Sequence, residues 1–445
     1  MRPMDASARA GDVVQLEAEI VRAPILTGVV GKVGEAASLA VLVALVPRAL
    51  GPANYGTFAL GLSVVTMGSS ALSVGAAALL VRFVPSASEQ EQAPLARALG
   101  ERIARRRLWQ IGLIGAAAAI LISVAPGVFP PLPVVLVAVA LSLDLGATLC
   151  FQLALGLGRN RLWSFRYPLQ NTFLTAAALL LGSIAGSTGA LAALALASGA
   201  ALIVGAAAIA GPLRGPKRDA SVPTEFLRFG QITGLGSLLY LVAHRSGVVV
   251  VALLANPRET GFAALALGVG LAALYSVWQI STLQLATLSR YADRDLEWTE
   301  RQARRLAAQT LTVLTPPALL GGLVLERVIV LVFGTEFRGA EPAFVPVLAL
   351  FPLLPLTALA NQVAALRVRP EARLRASAAG LLVFVIAAPL SVAEWGAVGA
   401  TGSLLASTLA AVVVSVRVLP RLAGRALLAA SLAGSILALT IAAVS

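Results

Sequence analysis

Two cations stand inside apolar runs, where a charge at the centre of a membrane helix costs about 2.5–3.5 kcal/mol on insertion scales. They are Lys32 in GVVGKVGEAAS and Arg245 in LVAHRSGVVV. A cation so placed faces a cavity or a partner. The partner a guanidinium meets best is a phosphate or carboxylate, through two parallel N–H donors. Each cation sits in the first apolar run of its half of the chain. At 1.5 Å per residue, Lys32 lies about 10 Å and Arg245 about 28 Å from the same end of its run, a ladder for a desolvated anion. A second reading stays open for Lys32: Glu35 is at i+3 on the same helical face, a spacing that also makes a structural ion pair. Arg245 has no acid within four residues.

The carboxylates Glu35 and Asp144 also fall near the middle of apolar runs. A buried carboxyl of this kind can carry a proton or hold Na⁺, which suits an ion-coupled exporter. An exporter of cations would not favour Lys32 and Arg245 in its lumen. His244, the one histidine, reads first as a packing residue, with proton coupling as the alternative. One histidine and one cysteine, Cys150, leave no His/Cys metal cluster and no internal disulfide. No Gly-x-x-x-x-Gly-Lys-Ser/Thr loop occurs, so ATP hydrolysis by that device is excluded and no cofactor is expected.

Arginines cluster elsewhere. ERIARRRLW at 101–109 returns as ERQARRLAA at 300–308, with a constant offset of 199 positions from Glu101 to Glu300 and from Arg106 to Arg305. The clusters Arg102, Arg105, Arg106 and Arg301, Arg304, Arg305 read first as orientation anchors, with Leu95, Leu99 and Ile103 packing at the interface. The other reading has them gather anionic lipid or an anionic headgroup of the cargo at one mouth of the protein.

The elements that carry these residues are set by composition. With 58% hydrophobic and 12% charged residues and a mean hydropathy of +0.88, the 445-residue chain is polytopic in a membrane. Apolar runs lie near 25–46, 56–82, 108–128, 132–157, 162–184 and 189–211. After a polar Pro/Gly-containing linker they resume near 226–254, 261–289, 306–333, 343–366, 374–393 and 396–416, with a thirteenth at 426–444. Backbone groups in lipid must bond within their own element, so these are helices and the fold is all-α. Gly61, Gly68 and Gly75, seven apart, predict close helix packing along the second run. Of the 34 lysines and arginines, 25 fall at the ends of even-numbered runs and four (Arg48, Arg258, Arg327, Arg338) at the ends of odd ones. That bias puts the N-terminus and the even ends in the cytoplasm. The net charge of +13 is thereby explained without nucleic acid.

The expected organisation is a cytoplasmic tail at 1–24, a six-helix lobe at 25–211, a cytoplasmic linker at 212–225, a second six-helix lobe at 226–420 and an additional helix at 421–445. The repeated arginine cluster follows the second run of each half. The preceding turn repeats too, as GPANYGTFAL at 51–60 and NPRETGFAAL at 256–265. Two halves in the same orientation imply a pseudo-two-fold along the membrane normal, an arrangement found in transporters.

PRALGPANYGTFALGLSVVTMGSSALSVGAAALLVRFVP at 47–85 resembles the start of the polysaccharide biosynthesis flippases. ETGFAALALG and VLVFGTEFRGAEPAFVPVLAL are similar to later stretches of the same family. That family belongs to the multidrug/oligosaccharidyl-lipid/polysaccharide exporter superfamily, with 12 to 14 spans in two lobes. The resemblance implies a bacterial inner-membrane protein that carries an undecaprenyl-diphosphate-linked oligosaccharide across the bilayer by alternating access. Its partners would be that glycan, membrane lipids and other polysaccharide assembly proteins. The alternative within the superfamily is an ion-coupled multidrug antiporter. An integral-membrane enzyme is disfavoured because the outward connections at 129–131, 185–188 and 394–395 are too short to hold catalytic groups.

Overall fold

The computed structural model describes residues 6–74, 89–124, 130–211, 224–292, 296–367, 369–418 and 425–444, with positions 76, 80, 84, 213 and 214. Within them the chain is helical nearly throughout: α1 Ala6–Leu72, α2 Glu89–Val124, α3 Pro131–Gly156, α4 Asn160–Ala210, α5 Thr224–Leu254 and α6 Pro257–Ala292. There follow α7 Leu296–Leu323, the short α8 Leu325–Phe333, α9 Glu341–Leu350, α10 Leu354–Leu366, α11 Pro370–Val418 and α12 Arg425–Val444. Eight helices among the described residues are long and apolar enough to cross a membrane. Lipid explains the scarcity of other structure: a helix satisfies its own N–H and C=O groups.

Three of the longest helices are pairs of arms joined at a glycine. Gly51, Gly186 and Gly396 have φ of 70°, 57° and 52°, a conformation that breaks α1, α4 and α11 respectively. The arms then turn back. A Cβ on Gly189 would collide with the Leu181 carbonyl, and one on Gly399 with that of Ser391, although residues eight apart in a straight helix are about 12 Å apart. Likewise Leu42 and Ala59, on opposite sides of Gly51, line one cavity. The apolar runs expected at 25–46 and 56–82, at 162–184 and 189–211, and at 374–393 and 396–416 are therefore arms of hairpins.

Two of these turns are closed by side chains from elsewhere in the chain. Asn54 Oδ1 accepts a hydrogen bond from the Ser187 backbone N–H at 3.3 Å, beside the Gly186 break. Glu259 Oε2 accepts one from the Ala397 N–H at 2.9 Å, beside the Gly396 break. Asn54 and Glu259 occupy equivalent places in the two repeated turns. Those turns also lock into each other. A Cβ on Gly56 would strike the Pro257 carbonyl oxygen and lie 2.7 Å from the Gly261 nitrogen, while a Cβ on Gly261 would strike the Pro52 carbonyl. Pro52 pairs with Pro257, and Gly56 with Gly261, at one common offset of 205 residues.

An aromatic group seals this seam. Phe337, fully buried, has Tyr55 and Phe262 each 6.2 Å away edge-on, and Phe333 at 6.5 Å. Arg48 Nη1 reaches the Leu331 carbonyl at 3.4 Å, and Glu336 stands against Gly51, so α8 and the turn after it lie across the junction.

Several sequence expectations shift in detail. The run at 343–366 is α9 and α10 joined by a 3₁₀ turn at Phe351–Leu353, where Pro352 and Pro355 lie close together; proline removes the N–H that a continuous α-helix needs. The run at 306–333 is broken at Val324 between α7 and α8. Helix α1 begins at Ala6, so most of the expected tail is helical. Gly61 packs against Leu191 and Gly68 against Leu141, as the stripe implies, while Gly75 lies outside the described residues. Leu99 is buried against Leu149 and Leu153 of α3, with Leu95 and Ile103 packed on the same cluster. This face of α2 thus packs on the apolar surface of α3, Leu99 buried and Leu95 and Ile103 half-buried.

Candidate functional site

Helix α5 brings His244 and Arg245 to a cavity bounded on the other side by both arms of α1 and by α6. The cavity is small, about 50 Å³ in volume. Its walls are mostly aliphatic, with Leu42, Ala59 and Leu267 among them, and its polar groups are Tyr55, Ser63, His244 and Arg245. Arg245 Nε is buried and has no hydrogen-bond partner among the described residues. The guanidinium is half-buried in a mostly aliphatic wall, and its Nε–H is a donor that an anion entering the cavity could take up. Lys32 falls on α1, but its side chain lies outside the described residues.

His244 is 6% exposed. Its ring stacks on Tyr240 with centroids 4.0 Å apart, and its Nδ1 lies 2.9 Å from the Tyr240 carbonyl. A ring nitrogen facing a carbonyl carries the proton, which fixes the tautomer with Nε2 unprotonated in the neutral ring. Beside it Ser246 meets Met67 of α1, with Oγ to Sδ at 3.8 Å. Thus α5 contacts the second arm of α1 along this wall.

Glu35 and Asp144 do not reach this cavity's lining. Asp144 of α3 pairs with Arg166 of α4 at 3.0 Å, and the same Nη2 donates to Thr148 at 3.0 Å. Arg166 is 2% exposed and lies against the rings of Tyr167 at 4.8 Å and Phe151 at 5.2 Å. Glu35 is half-buried on α1 and has a polar interaction of its own. Its neighbour Ser38 receives a hydrogen bond from Asn171 of α4 at 3.3 Å.

Arg166 and Arg107 are the functional-looking cations that sequence reading passes over, since both belong to basic clusters at run ends. Arg107 is buried and closes the end of α1: it donates to the Leu72 carbonyl at 2.6 Å, to Ser73 Oγ at 2.8 Å and to Gln110 Oε1 at 2.9 Å. Its neighbours Arg102, Arg105 and Arg106 are exposed. The signal that sets Arg107 apart is its spacing, one helical turn from Ala104 and three residues from Gln110, on the face that carries Leu99 and Ile103.

The second copy of the cluster does other work. Glu300, 5% exposed, accepts from Arg367 Nε at 2.5 Å and Nη2 at 2.9 Å, and lies 4.0 Å from Arg304. The Glu300 carboxylate, hydrogen-bonded to Arg367, raises that guanidinium's pKa above its ordinary value. This clamp ties α7 to the turn between α10 and α11. In the first copy Glu101 pairs with Arg97 on its own helix at 3.1 Å. Arg301, facing Glu297 at 3.8 Å, and Arg305 are exposed.

This all-helical membrane bundle, with its paired turns beside a cavity, has counterparts of the same fold among solved structures. The chain has the fold of transporters of the MOP superfamily. It matches the lipid II flippase MurJ in an inward closed conformation with a TM-score of 0.69 at 10% identity, over 94% of this chain and 92% of that one. It matches an inward-facing multidrug resistance MATE family transporter with a TM-score of 0.63 at 14% identity, over 92% and 95%. A MOP superfamily transporter from Pyrococcus furiosus, for which a binding pocket of reverse polarity suggests a different function, gives 0.58 at 13% identity over 93% and 94%. No protein-family model matches the sequence, and no curated protein does. The three similar structures named above are a flippase and two transporters.

Proposed function

We propose that the protein is an alternating-access transporter whose cargo is anionic, and that it moves an undecaprenyl-diphosphate-linked oligosaccharide or related glycan precursor across a bacterial inner membrane. The observation that carries this reading is Arg245, whose buried Nε finds no hydrogen-bond partner among the described residues on the wall of the central cavity. In this reading 25–211 and 226–420 are lobes of six spans each, the N-terminus is cytoplasmic, and the glycan's diphosphate meets Arg245 while its lipid tail stays in the bilayer. The reciprocal contacts of Pro52 with Gly261 and of Pro257 with Gly56 support a pseudo-two-fold between the lobes. Glycan assembly proteins would then act on either side of the transport step.

A second reading, an ion-coupled multidrug antiporter, is favoured by the number of MATE transporters among the similar structures. Asp144 and Glu35 would then be the coupling groups, with His244 as a further candidate. Cargo charge separates the two. Reconstituted in vesicles, the protein is expected to move a short-chain polyprenyl-diphosphate sugar and not the cation ethidium. Arg245→Ala should abolish that movement, and Arg245→Lys should retain part of it, since ammonium lacks the planar two-pronged contact. Ethidium export driven by a proton or sodium gradient, unaffected by Arg245→Ala, would establish the antiporter reading instead.

A further inference from the structure

A second polar cavity lies wholly within the C-terminal half, between α5, α10 and the two arms of α11. Its volume is about 20 Å³, room for one species little larger than a water molecule. Arg373, one turn into α11, lines it together with Asn361, Ser377 and Tyr240. This part of α11 packs on α5 at Gly236, where a Cβ would make ordinary contact, 3.6 Å from the Leu374 Cα and 3.9 Å from Arg373 Cγ. The remaining wall is largely small, with Ala372, Ala376 and Ala411 presenting methyl groups.

The charge pattern of this cavity is one-sided. Arg373 is the only charged residue among the described lining residues, and no carboxylate is among them. A guanidinium carries five N–H donors, more than any single partner takes up. The Asn361 amide and the Ser377 and Tyr240 hydroxyls can each turn a further donor inward. The Thr357 and Ser415 hydroxyls already donate to the Leu354 and Ala411 carbonyls, each at 2.8 Å. A metal cation would meet a like charge here, whereas an anion would meet a guanidinium and neutral donors in a desolvated wall. The cavity is small and alanine methyls line much of it, so it has room only for a compact ion.

We propose that this cavity is a binding site for a small monovalent inorganic anion of the chloride class, distinct from the central cavity at Arg245. The two sites share a wall. Tyr240 lines the anion cavity, and its ring stacks at 4.0 Å on His244, which lines the central one. Occupancy of the first therefore bears on the position of His244 and Arg245 in the second.

The test is equilibrium binding of radiolabelled chloride to the detergent-purified full chain in gluconate buffer, with thermal unfolding measured in parallel. The wild-type protein is expected to bind chloride saturably, and a tenfold excess over Kd should raise Tm by on the order of 2 °C relative to gluconate at equal ionic strength. Arg373→Gln should remove one bound equivalent and the chloride-specific Tm shift, while Arg245→Gln keeps both. Arg373→Lys retains the charge, so it should bind about tenfold more weakly. Should Arg373→Gln not fold, Ser377→Val with Asn361→Leu should weaken chloride binding in an otherwise folded protein. The proposal is overturned by a wild-type protein without saturable chloride binding, by an Arg373→Gln protein that binds as wild type, or by binding lost in Arg245→Gln alone. The last result would place the anion in the central cavity.

Discussion

The interlocked turns at Gly56 and Gly261 make a sharp test of how the central cavity opens. A methyl group on Gly261 would fall against the Pro52 carbonyl carbon at 2.8 Å, and one on Gly56 would lie 2.7 Å from the Gly261 nitrogen. Non-bonded carbon contacts settle at about 3.5–4.0 Å, so the seam must part by about 1 Å to admit either methyl. Both partners are backbone, which cannot rotate out of the way as a side chain would. Overpacking of this kind costs about 1–3 kcal/mol. If that cost falls only on the closed seam, it shifts the balance toward a parted seam by roughly 5- to 150-fold. The reporter is Ser63, 1% exposed on the cavity wall. In a cysteine-free background, Ser63→Cys should react with an impermeant thiol reagent applied from the face of the membrane where the Gly51 turn lies. Adding Gly261→Ala or Gly56→Ala should accelerate that reaction at least 5-fold. Gly112→Ala and Gly115→Ala, where a new Cβ meets nothing within 4 Å, should leave it unchanged. An unchanged rate in Gly261→Ala protein that still folds would refute the idea that these turns hold the cavity shut.

Arg107→Lys should lower thermal stability measurably, because ammonium cannot serve Leu72, Ser73 and Gln110 at once, whereas Arg105→Lys and Arg106→Lys should not; charge-assisted hydrogen bonds of this sort are worth about 1.5–3 kcal/mol each. Glu300→Gln should destabilise the protein by about 3–5 kcal/mol, the usual cost of removing one partner of a buried pair, reduced by the partial exposure of Arg367; Arg304→Gln, at the weaker contact, should cost far less. Asp144→Asn should leave Arg166 with no carboxylate partner and lower Tm, and Asp144→Asn with Arg166→Gln should recover part of the loss. Equal stability of single and double variants would show that the pair contributes nothing as a pair. Proteolysis of Glu259→Ala protein should detect loosening at the 396–397 turn, since the Ala397 N–H loses its acceptor.

Helices were legible in the sequence because lipid leaves the backbone one economical choice, and length then sets where each must end. Arg245 was legible for the same reason: a charge in an apolar run is conspicuous. Arg107 and Arg166 were not, because each sits among other arginines whose side chains face outward, and composition cannot tell which member of a cluster turns inward. Asp144 was recognised as a buried carboxylate, but its partner is on another helix, 22 residues along the chain. The repeated arginine motif was visible as a pattern, yet its two copies act differently. Glu101 bonds within its helix while Glu300 reaches Arg367, 67 residues away. The hairpins were read as separate spans since the apolar pattern records two arms and is silent about how tightly they fold back.

Asn54 and Glu259 have a bearing on how the chain is made. Each leaves the ribosome well before the turn it closes, 133 residues ahead of Ser187 and 138 ahead of Ala397. At about 5–20 residues per second, that is a wait of roughly 7 to 28 s. The later hairpin carries almost no polar loop, so its two arms can enter the bilayer together with little to translocate. Its turn then arrives at an acceptor already in place. In each half, then, the acceptor is synthesised well before the turn that donates to it, and a chain that ends before residue 187 or 397 lacks that donor.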